Sequence, residues 1–491
     1  MSESAVNSLR PAQEVSIASG FSLRALLAWP WLPLLPFLAL PVLGGTSDGV
    51  DLIIVASEAI FLLMALQRPV WVIGAIALSE LTTRNYLVPL PGFQMSARLF
   101  ICTASLLIVL PYLASANSLA PRSRRMLLTT LSFVGVTTIA NAVAVPLSGL
   151  LDFLRFIVAG LIIVTVAPLV IQSKQDLRDL ALPVLVIAAL SAVVAIGQQL
   201  VEPDLLASIP HPAQPAPVAF WEGRSLGLAE NPIYLANDMV VIIFIVVGLL
   251  LMKAHKKGAG WFLLALLVLL AAGIYFSQTR SWIYGAAGAG LVIMLLLKGR
   301  MQKEFLLLLL VITGIGIYYI QNSDSRYSFS ASDSGSAASR PVLWMAALNM
   351  ALDHPVLGVG FGRFLELAPQ YEDFIDPLLL ENQGAAGALG KYDPHNDYLN
   401  VWASFGTVAL ALYVLLIVQT GINFVSALRA SADPYLRGLA LGALAGLTAF
   451  AINSFFHNLI ESTLTVWLLA GLSLALLKLA RQERQAMETA P

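Results

Sequence analysis

Long apolar runs alternate with short polar connections along nearly the whole chain. A helix needs about 20 apolar residues to cross a hydrocarbon core about 30 Å thick, so each run of that length predicts one span. The first run is rich in proline, which predicts a kinked or partly interfacial segment. The pattern therefore predicts an all-α polytopic membrane protein with about 12 to 14 transmembrane helices. The predicted spans are 26–43, 50–66, 69–88, 98–115, 126–146, 151–172, 179–201, 233–252, 259–276, 281–297, 304–320, 397–418, 438–456 and 462–479.

One polar segment, residues 321–396, is far longer than the other connections. Loops of such length are usually either functional or disordered. The glycine-patterned middle and the Pro-His-Asn end of this loop favour function. The predicted organisation is N-terminal transmembrane helices (1–200), transmembrane helices that carry arginines at their outer ends (201–320), the large loop (321–396), and C-terminal transmembrane helices (397–491).

The composition supports a membrane protein. Of the 491 residues, 58% are hydrophobic and only 12% are charged, whereas soluble domains carry about 25% charged residues. The single cysteine, Cys102, lies in an apolar run. It excludes an internal disulfide and a cysteine-rich metal site, and its position predicts a buried thiol.

The distribution of Lys and Arg predicts the orientation of the chain. If both termini lie in the cytoplasm, most of the 28 Lys and Arg residues fall in inner connections, as the positive-inside rule requires. The large loop and the loop 202–232 then face outward. Arginines that remain on the outer side, among them Arg224, Arg280 and Arg340, need a partner or a function.

Arg280 lies in the segment SQTRSW, between two apolar runs with almost no loop to solvate it. It could be an interfacial arginine whose side chain reaches water. Alternatively, the flanking hydroxyl groups of Ser277, Thr279 and Ser281 could form an anion-binding niche with it.

Arg340 opens the segment RPVLWMAALNMALDHP. Pro341 suits the first position of a helix, and apolar residues such as Trp344 recur at helical spacing. The segment predicts an amphipathic helix on the outer face of the bundle. A guanidinium beside helix N-terminal N–H groups is typical of a phosphate site.

The next segment, LGVGFGRF (357–364), has the glycine spacing of some phosphate-binding loops. No strand and no complete Walker motif accompany it, so the pattern favours a tight turn over a nucleotide site.

His395 lies in DPHNDYL, immediately before a predicted span. It could have a structural role, or it could act as a general base. Asp393, Asn396 and Asp397 are groups that could set its tautomer and basicity. We expect His457, at the outer end of the next-to-last span, to line the same face.

These residues together suggest one kind of reaction. Outward-facing arginines, a nearby histidine and no cluster of metal ligands fit a diphosphate leaving group on a lipid carrier. The acceptor would be a hydroxyl group that His395 deprotonates. No cofactor is expected, because the donor would arrive already activated.

Four motifs resemble those of the O-antigen ligase and O-antigen polymerase family. GRSLGLAENPIYLAN (223–237) is similar to its Arg-x-x-Gly…Asn-Pro-Asn-x-x-Ala signature, and SQTRS (277–281) to its Ser/Thr-Arg-Gly/Ser signature. SRPVLWMAALNMALDHPVLGVGFGRF (339–364) resembles its Arg-x-x-x-Trp…Pro-x-x-Gly-x-Gly block, and PHNDYLN (394–400) its His-Asn-x-x-Leu end. The four motifs stand in the family's order.

The resemblance spans residues 220 to 470, whereas 1–200 is similar only as a run of spans. The chain departs from the family at Ile233 and Tyr234, which stand where the family often has Asn and a small or apolar residue. This departure bears on whether the polar contact near Asn231 that the family's motif implies is present in this chain.

The resemblance implies a metal-independent, inverting glycosyl transfer at the periplasmic face of the bacterial inner membrane. The donor would be a saccharide on undecaprenyl diphosphate. Arg280 and Arg340 would hold the diphosphate, with Arg224 supporting its lipid end. His395 would activate the acceptor hydroxyl or position it. The possible supporting residues are Asp393, Asn396, Asn231 and Trp344.

The implied partners are the lipid-linked donor, a glycan or lipid A core acceptor, the bilayer and other polysaccharide-assembly membrane proteins, without nucleic acid. A polymerase, which transfers a growing chain onto the next lipid-linked repeat, and a ligase, which transfers it to lipid A core or protein, share the same site. The number of spans and the long, acidic loop favour the polymerase. A flippase or another transporter is the third alternative, with Glu58, Asp238 and Arg155 as intramembrane polar groups. The lack of related halves in the sequence argues against it.

Overall fold

The computed structural model describes most of the chain with several gaps. The described residues are 27, 29–43, 47–82, 87–90, 93–113, 121–145, 147–201, 205, 223–255, 258–297, 299, 302–303, 305, 336–380 and 387–489. The predicted span 304–320, apart from residue 305, lies outside them, as does the beginning of the large loop. The side chain of Arg155 also lies outside the described part.

The described residues form mainly α-helices, and the prediction of an all-α polytopic membrane protein is confirmed. A two-stranded antiparallel hairpin, which pairs Leu87 with Ser96, is an exception that the pattern did not predict. The longer helices and the two strands in chain order are α1 (Ser47–Ala65), α2 (Trp71–Thr82), β1 (Leu87–Leu90), β2 (Phe93–Ser96), α3 (Ala97–Leu113), α4 (Pro121–Ala144), α5 (Leu147–Val170), α6 (Lys174–Leu200), α7 (Pro232–Leu251), α8 (Ala259–Ser277), α9 (Ser281–Leu296), α10 (Ser336–Asp353), α11 (Asp397–Ala430), α12 (Pro434–Asn453) and α13 (Thr465–Thr489). The large loop also contains two short α-helices, Phe364–Leu367 and Pro377–Leu380, and a 3₁₀ helix at Ala368–Phe374.

Six helices in the described part are long and apolar enough to cross a membrane, namely α4, α6, α7, α8, α11 and α12. Four shorter apolar helices lie within α2, α3, α5 and α9. The predicted 12 to 14 spans therefore exceed the full-length apolar helices that the described residues contain.

Two predicted spans are not continuous α-helices. The proline-rich first run forms a 3₁₀ helix at Leu32–Ala39, followed by one α-helical turn at Leu40–Leu43. Proline lacks an N–H and clashes with the preceding turn, which explains why no long α-helix forms there. In the run 69–88, the described residues form helix α2 at Trp71–Thr82 and the start of strand β1 at Leu87.

Helix α12 packs closely against two neighbours through small residues. A Cβ atom on Gly285 of α9 would lie 2.9 Å from the carbonyl oxygen of Ala449, and one on Gly442 would overlap the backbone of α7 at Phe244. Small residues let helix backbones approach where there is little hydrophobic drive for association. This packing places the end of α12 at Asn453 beside the start of α9 at Ser281.

Helix α11 is broken at Gly406, where φ is 83° and ψ is 177°. The segment that precedes the LGVGFGRF turn docks against the break. Thr407 N donates to Pro355 O at 2.8 Å instead of continuing the helix. The carbonyl of Ala403, which Thr407 would otherwise have bonded, accepts from Val359 N at 2.9 Å. The glycine-rich segment is therefore a tight turn, as its pattern predicted.

The described part of the large loop has its own small hydrophobic core. Helix α10 buries Val342, Ala346 and Met350 against Phe364 and Tyr371. Its apolar face is therefore covered by protein. The helix also begins at Ser336 rather than at Pro341. The expectation that Arg340 stands at a helix N-terminus, beside free N–H groups, is wrong because the first turn of the helix lies before Arg340.

The break in α11 predicts a strong effect of Gly406→Ala. An added Cβ would overlap the carbonyl oxygen of Val356, and this backbone conformation is one that L residues rarely adopt. We expect the free energy of unfolding to fall by about 3 kcal/mol, measured by denaturant or thermal unfolding in detergent. Gly421→Ala in the same helix, where the nearest atom lies at 3.7 Å, should be neutral or slightly stabilising. Equal stability of the two variants would contradict this view of the break.

Candidate active site

Arg224 is tied to the turn between α8 and α9. Its Nε donates to Ser277 O at 3.0 Å, and one Nη donates to Thr279 Oγ1 at 2.7 Å. The Thr279 hydroxyl in turn donates to Pro232 O at 3.1 Å. The predicted residue Arg224 therefore meets the second predicted motif, although 55 positions separate Arg224 from Thr279.

The α8–α9 turn places Arg280 at the N-cap position of α9. Gln278 adopts a left-handed conformation with φ of 50°, which reverses the chain between the two helices. The hydroxyl of Ser277 donates to Ile274 O at 2.6 Å. The hydroxyls of Ser277 and Thr279 thus support the turn and Arg224, whereas Ser281 contacts His457. The expectation that the three hydroxyls form an anion-binding niche with Arg280 stays a prediction.

Arg340 lies on α10 and faces the same site. Its guanidinium carbon lies 5.7 Å from the centre of the Phe456 ring, a cation–π contact. Its buried Nε has no hydrogen-bond partner among the described residues. Burial and then repulsion from Arg280 lower the pKa of Arg340. Two of the predicted diphosphate ligands thus lie close enough for their charges to interact.

His395 has a left-handed backbone with φ of 50°, which is uncommon for a residue other than glycine. The indole N–H of Trp344 donates to Pro394 O at 2.9 Å and links α10 to the residue before His395. Burial and then repulsion from Arg340 lower the pKa of His395 to about 4. The imidazole is therefore neutral at neutral pH, in the form that can accept a proton.

The residues expected to orient His395 have other partners. The side chain of Asn396 caps α11 by accepting from the backbone N–H groups of Tyr398 and Leu399. Asp397 accepts from the N–H of Ile460 at 3.0 Å. These contacts engage the Oδ1 atom of Asn396 and the carboxyl group of Asp397, and the expectation that the two residues set the tautomer of His395 stays a prediction.

Asp393 and Asn231 complete the predicted set. Burial raises the pKa of Asp393, two residues before His395. Asn231 is the N-cap of α7, where its side chain accepts from Ile233 N at 2.8 Å. This contact is within its own turn, and it stabilises the start of the helix that follows Arg224.

The loop between α12 and α13, residues 454–464, contacts nearly every part of the site. Ser454 O accepts from Asp397 N at 2.7 Å, and Asn458 Oδ1 accepts from Asn396 N at 3.0 Å. Phe456 contacts Arg340 as described. Sequence reasoning missed this loop as a central element. The available signal was the polar and aromatic segment SFFHNLIEST between two apolar runs.

Two titratable residues of this loop enter the site. The Nε2 atom of His457 lies 2.8 Å from Ser281 Oγ. Burial and then repulsion from Arg340 lower the pKa of His457 well below its usual value. Glu461 accepts a hydrogen bond from Asn400 Nδ2 at 2.6 Å. Burial, and secondly the charge of Asp393, raise the pKa of Glu461 to about 8.

The arrangement can bind an anion beside a neutral base. Arg280 and Arg340 repel each other in the free protein, and a bound anion would relieve that repulsion. His395 lies close enough to Arg340 for the arginine to lower its pKa. An anionic ligand would suit the two arginines, and a second ligand with a hydroxyl group would suit the neutral imidazole of His395.

Comparison with known families bears on the same residues. Residues 265–414 match the model of a family described as O-antigen ligase. The matched stretch contains Arg280, Arg340 and His395, and it covers less than half of the chain. The resemblance predicted from the four motifs is confirmed over this stretch. No curated protein matches the chain.

The cationic site predicts that inorganic pyrophosphate stabilises the protein. A ligand that binds only the folded state adds about 2.7 kcal/mol to the free energy of unfolding when its free concentration is 100 times its Kd. We expect the unfolding temperature of the detergent-solubilised protein to rise with pyrophosphate and the rise to disappear in Arg340→Gln. Lys391→Gln removes an exposed positive charge from the same loop and serves as the control that should keep the rise. An equal loss in both variants would mean that only the general charge of the loop matters.

Proposed function

We propose that this chain, whose residues 265–414 match the O-antigen ligase family, is a glycosyltransferase that uses an undecaprenyl-diphosphate-linked saccharide as donor. The match supports glycan transfer in O-antigen assembly within a membrane. The convergence of Arg280, Arg340 and His395, from three separate elements, is the observation that carries the proposal. The reaction is metal-independent and inverts the anomeric centre.

The arginines bind the diphosphate. Arg280 and Arg340 hold its phosphates, and Arg224, fixed to the α8–α9 turn, supports the end that carries the lipid. As the bond between the anomeric carbon and the diphosphate oxygen breaks, negative charge grows on the diphosphate. Preorganised positive groups that stabilise such charge contribute much of the rate enhancement in many enzymes.

His395 activates the acceptor. Its neutral imidazole takes the proton from the acceptor hydroxyl as that oxygen bonds to the anomeric carbon. Burial and then repulsion from Arg340 keep the pKa of His395 at about 4 in the free protein, which makes it a weak base. The bound diphosphate offsets the charge of Arg340 and raises this pKa toward the working pH, where general bases are most effective. Donor binding therefore prepares the base.

We favour polymerisation of O-antigen or exopolysaccharide repeat units. Here the acceptor is the next lipid-linked repeat, and the large, acidic loop offers surface for a glycan. The part of this loop from Phe364 to Leu380 exposes Glu366, Glu372 and Asp373. The alternative is a ligase, which transfers the glycan to lipid A core or to a protein at the same site.

A flippase or other transporter fits less well. A cavity of about 200 Å³ lies between several helices, but its lining is apolar apart from Glu80, Asp238 and Thr465. The hydroxyl of Thr465 donates to Glu80 Oε1 at 2.8 Å and lies 3.0 Å from Asp238 Oδ1. These acids fix the start of α13, and the apolar wall offers few partners to a saccharide.

The proposed location is the bacterial inner membrane, with both termini in the cytoplasm and the large loop in the periplasm. The distribution of Lys and Arg supports this orientation. The proposal uses the four predicted domains, 1–200, 201–320, 321–396 and 397–491, and divides the proposed site residues between the second domain and the large loop.

A base at His395 predicts that His395→Ala abolishes transfer. The variant should still insert in the membrane and bind donor, because the arginines remain, and the rate should fall by about 10²-fold or more. The measurement is turnover of lipid-linked donor by purified protein in lipid nanodiscs. His354→Ala, an exposed histidine on the same loop, is the control and should turn over normally. Normal turnover by His395→Ala would exclude the proposed base.

A clean deletion in the native host separates polymerase from ligase. If the protein is a polymerase, single repeat units should remain on the carrier lipid. Full-length chains on the carrier beside bare lipid A core would instead indicate a ligase. Intermediates trapped on the cytoplasmic side would indicate a flippase and would exclude glycosyl transfer as the main function. The measurement is gel analysis of lipopolysaccharide and secreted polysaccharide beside extracted lipid-linked intermediates.

A further inference from the structure

His457 lies outside the stretch that matches the family, yet the site residues surround it. It belongs to the loop 454–464, and its side chain is almost fully buried, at 7% exposed. The charges of Arg340, His395 and Arg224 all act on its ring. A histidine in this position lies within range of the charges that would bind the diphosphate, although no motif of the sequence includes it.

A single hydrogen bond orients the ring. His457 Nε2 lies 2.8 Å from Ser281 Oγ, and Ser281 directly follows Arg280. If the serine hydroxyl donates to Nε2, the ring proton resides on Nδ1, which is then a donor for a ligand. A bound anion would favour this tautomer, because an N–H group stabilises negative charge and a lone pair does not.

We propose that His457 is a fourth ligand of the diphosphate, beside Arg224, Arg280 and Arg340, and binds it through the ring nitrogen that Ser281 leaves free. The inference rests on the proposed function, since it assigns a further residue to the same donor site.

The surroundings explain why a histidine suits this position better than another arginine. Arg224 lies before α7, Arg280 beside Ser281, Arg340 on α10 and His395 before α11. A further permanent cation would add to their repulsion in the free protein. Burial and then the charge of Arg340 keep the pKa of His457 low, so the ring is neutral until an anion arrives.

The bound diphosphate reverses this balance. Its negative charges offset the arginines and favour the imidazolium, so donor binding takes up a proton and strengthens as the pH falls. Two acidic groups also lie in this region. Glu461 accepts a hydrogen bond from Asn400, and burial and then the charge of Asp393 raise the pKa of Glu461. During transfer the diphosphate oxygen keeps the electron pair of the broken bond to the anomeric carbon. The N–H group of His457 stabilises that charge while His395 holds the acceptor proton.

The test is binding of undecaprenyl-diphosphate N-acetylglucosamine to the full-length protein in lipid nanodiscs at pH 6 and pH 8. Both phosphates of this probe are esterified, so it lacks the group of a phosphate monoester that titrates near pH 6. We expect wild-type protein to bind more tightly at pH 6. His457→Gln should weaken binding at pH 6 by about tenfold or more, the scale of a hydrogen bond to a charged group, and should reduce the pH dependence.

Because His395 also faces Arg340 and the pKa of Glu461 is raised to about 8, the same comparison is made in a His395→Ala, Glu461→Gln background, which removes these two titrations. The pH dependence that His457→Gln then abolishes belongs to His457. His354→Gln is the matched control and should bind as wild type does. Should His457→Gln fail to fold, Ser281→Ala removes the orienting hydrogen bond and should weaken binding by about threefold.

Two outcomes would overturn different claims. If His457→Gln, or Ser281→Ala in its place, binds with unchanged affinity and pH dependence while Arg340→Gln binds weakly, His457 is not a ligand and the proposed function stands. If wild-type protein binds the probe at neither pH, the proposed function itself fails.

Discussion

The buried carboxyl group of Asp397 joins two distant segments of the chain. The backbone N–H of Asp397 donates to Ser454 O, and the Asp397 side chain accepts from Ile460 N and from the hydroxyl of Tyr413. A buried carboxyl group is expensive unless hydrogen bonds satisfy it, so these partners hold the two segments together. His395 lies two residues before Asp397, and His457 lies between Ser454 and Ile460. The hydrogen bonds of Asp397 therefore help to hold the segments that carry the two histidines together.

Helix packing places this junction beside the arginines. Helix α12 ends at Asn453, immediately before the loop that bonds Asp397, and small residues bring it against α9. Since α9 begins at Ser281, the closeness of the two helices determines whether Ser281 reaches His457. The break at Gly406 then lets the large loop dock on α11 and carry Arg340 to the same place. Three contacts in the scaffold thus bring the site together: α12 against α9, the loop 454–464 against Asp397, and the large loop against α11.

The electrostatics of the site follow from this geometry. Burial and then repulsion between positive charges lower the pKa values of Arg340, His395 and His457 in the free protein. An anionic ligand removes part of that repulsion, so binding and a rise in the pKa of the histidines are coupled. In the proposed reaction this coupling makes His395 a better base only when the donor is present.

The sequence by itself determined the membrane class and the long polar loop, and it identified Arg280, Arg340 and His395 as candidate site residues, because hydropathy and short motifs are local properties. Asn396 could also have been predicted as a helix cap, since asparagine before a helix is a common N-cap.

Only the tertiary structure decided which groups share the site. The roles of Asp397 and His457 depend on partners 63 and 176 positions away in the chain. The start of α10 at Ser336, before Pro341, was also visible only there. Contacts between distant segments depend on how helices pack, and no local pattern of residues contains that information.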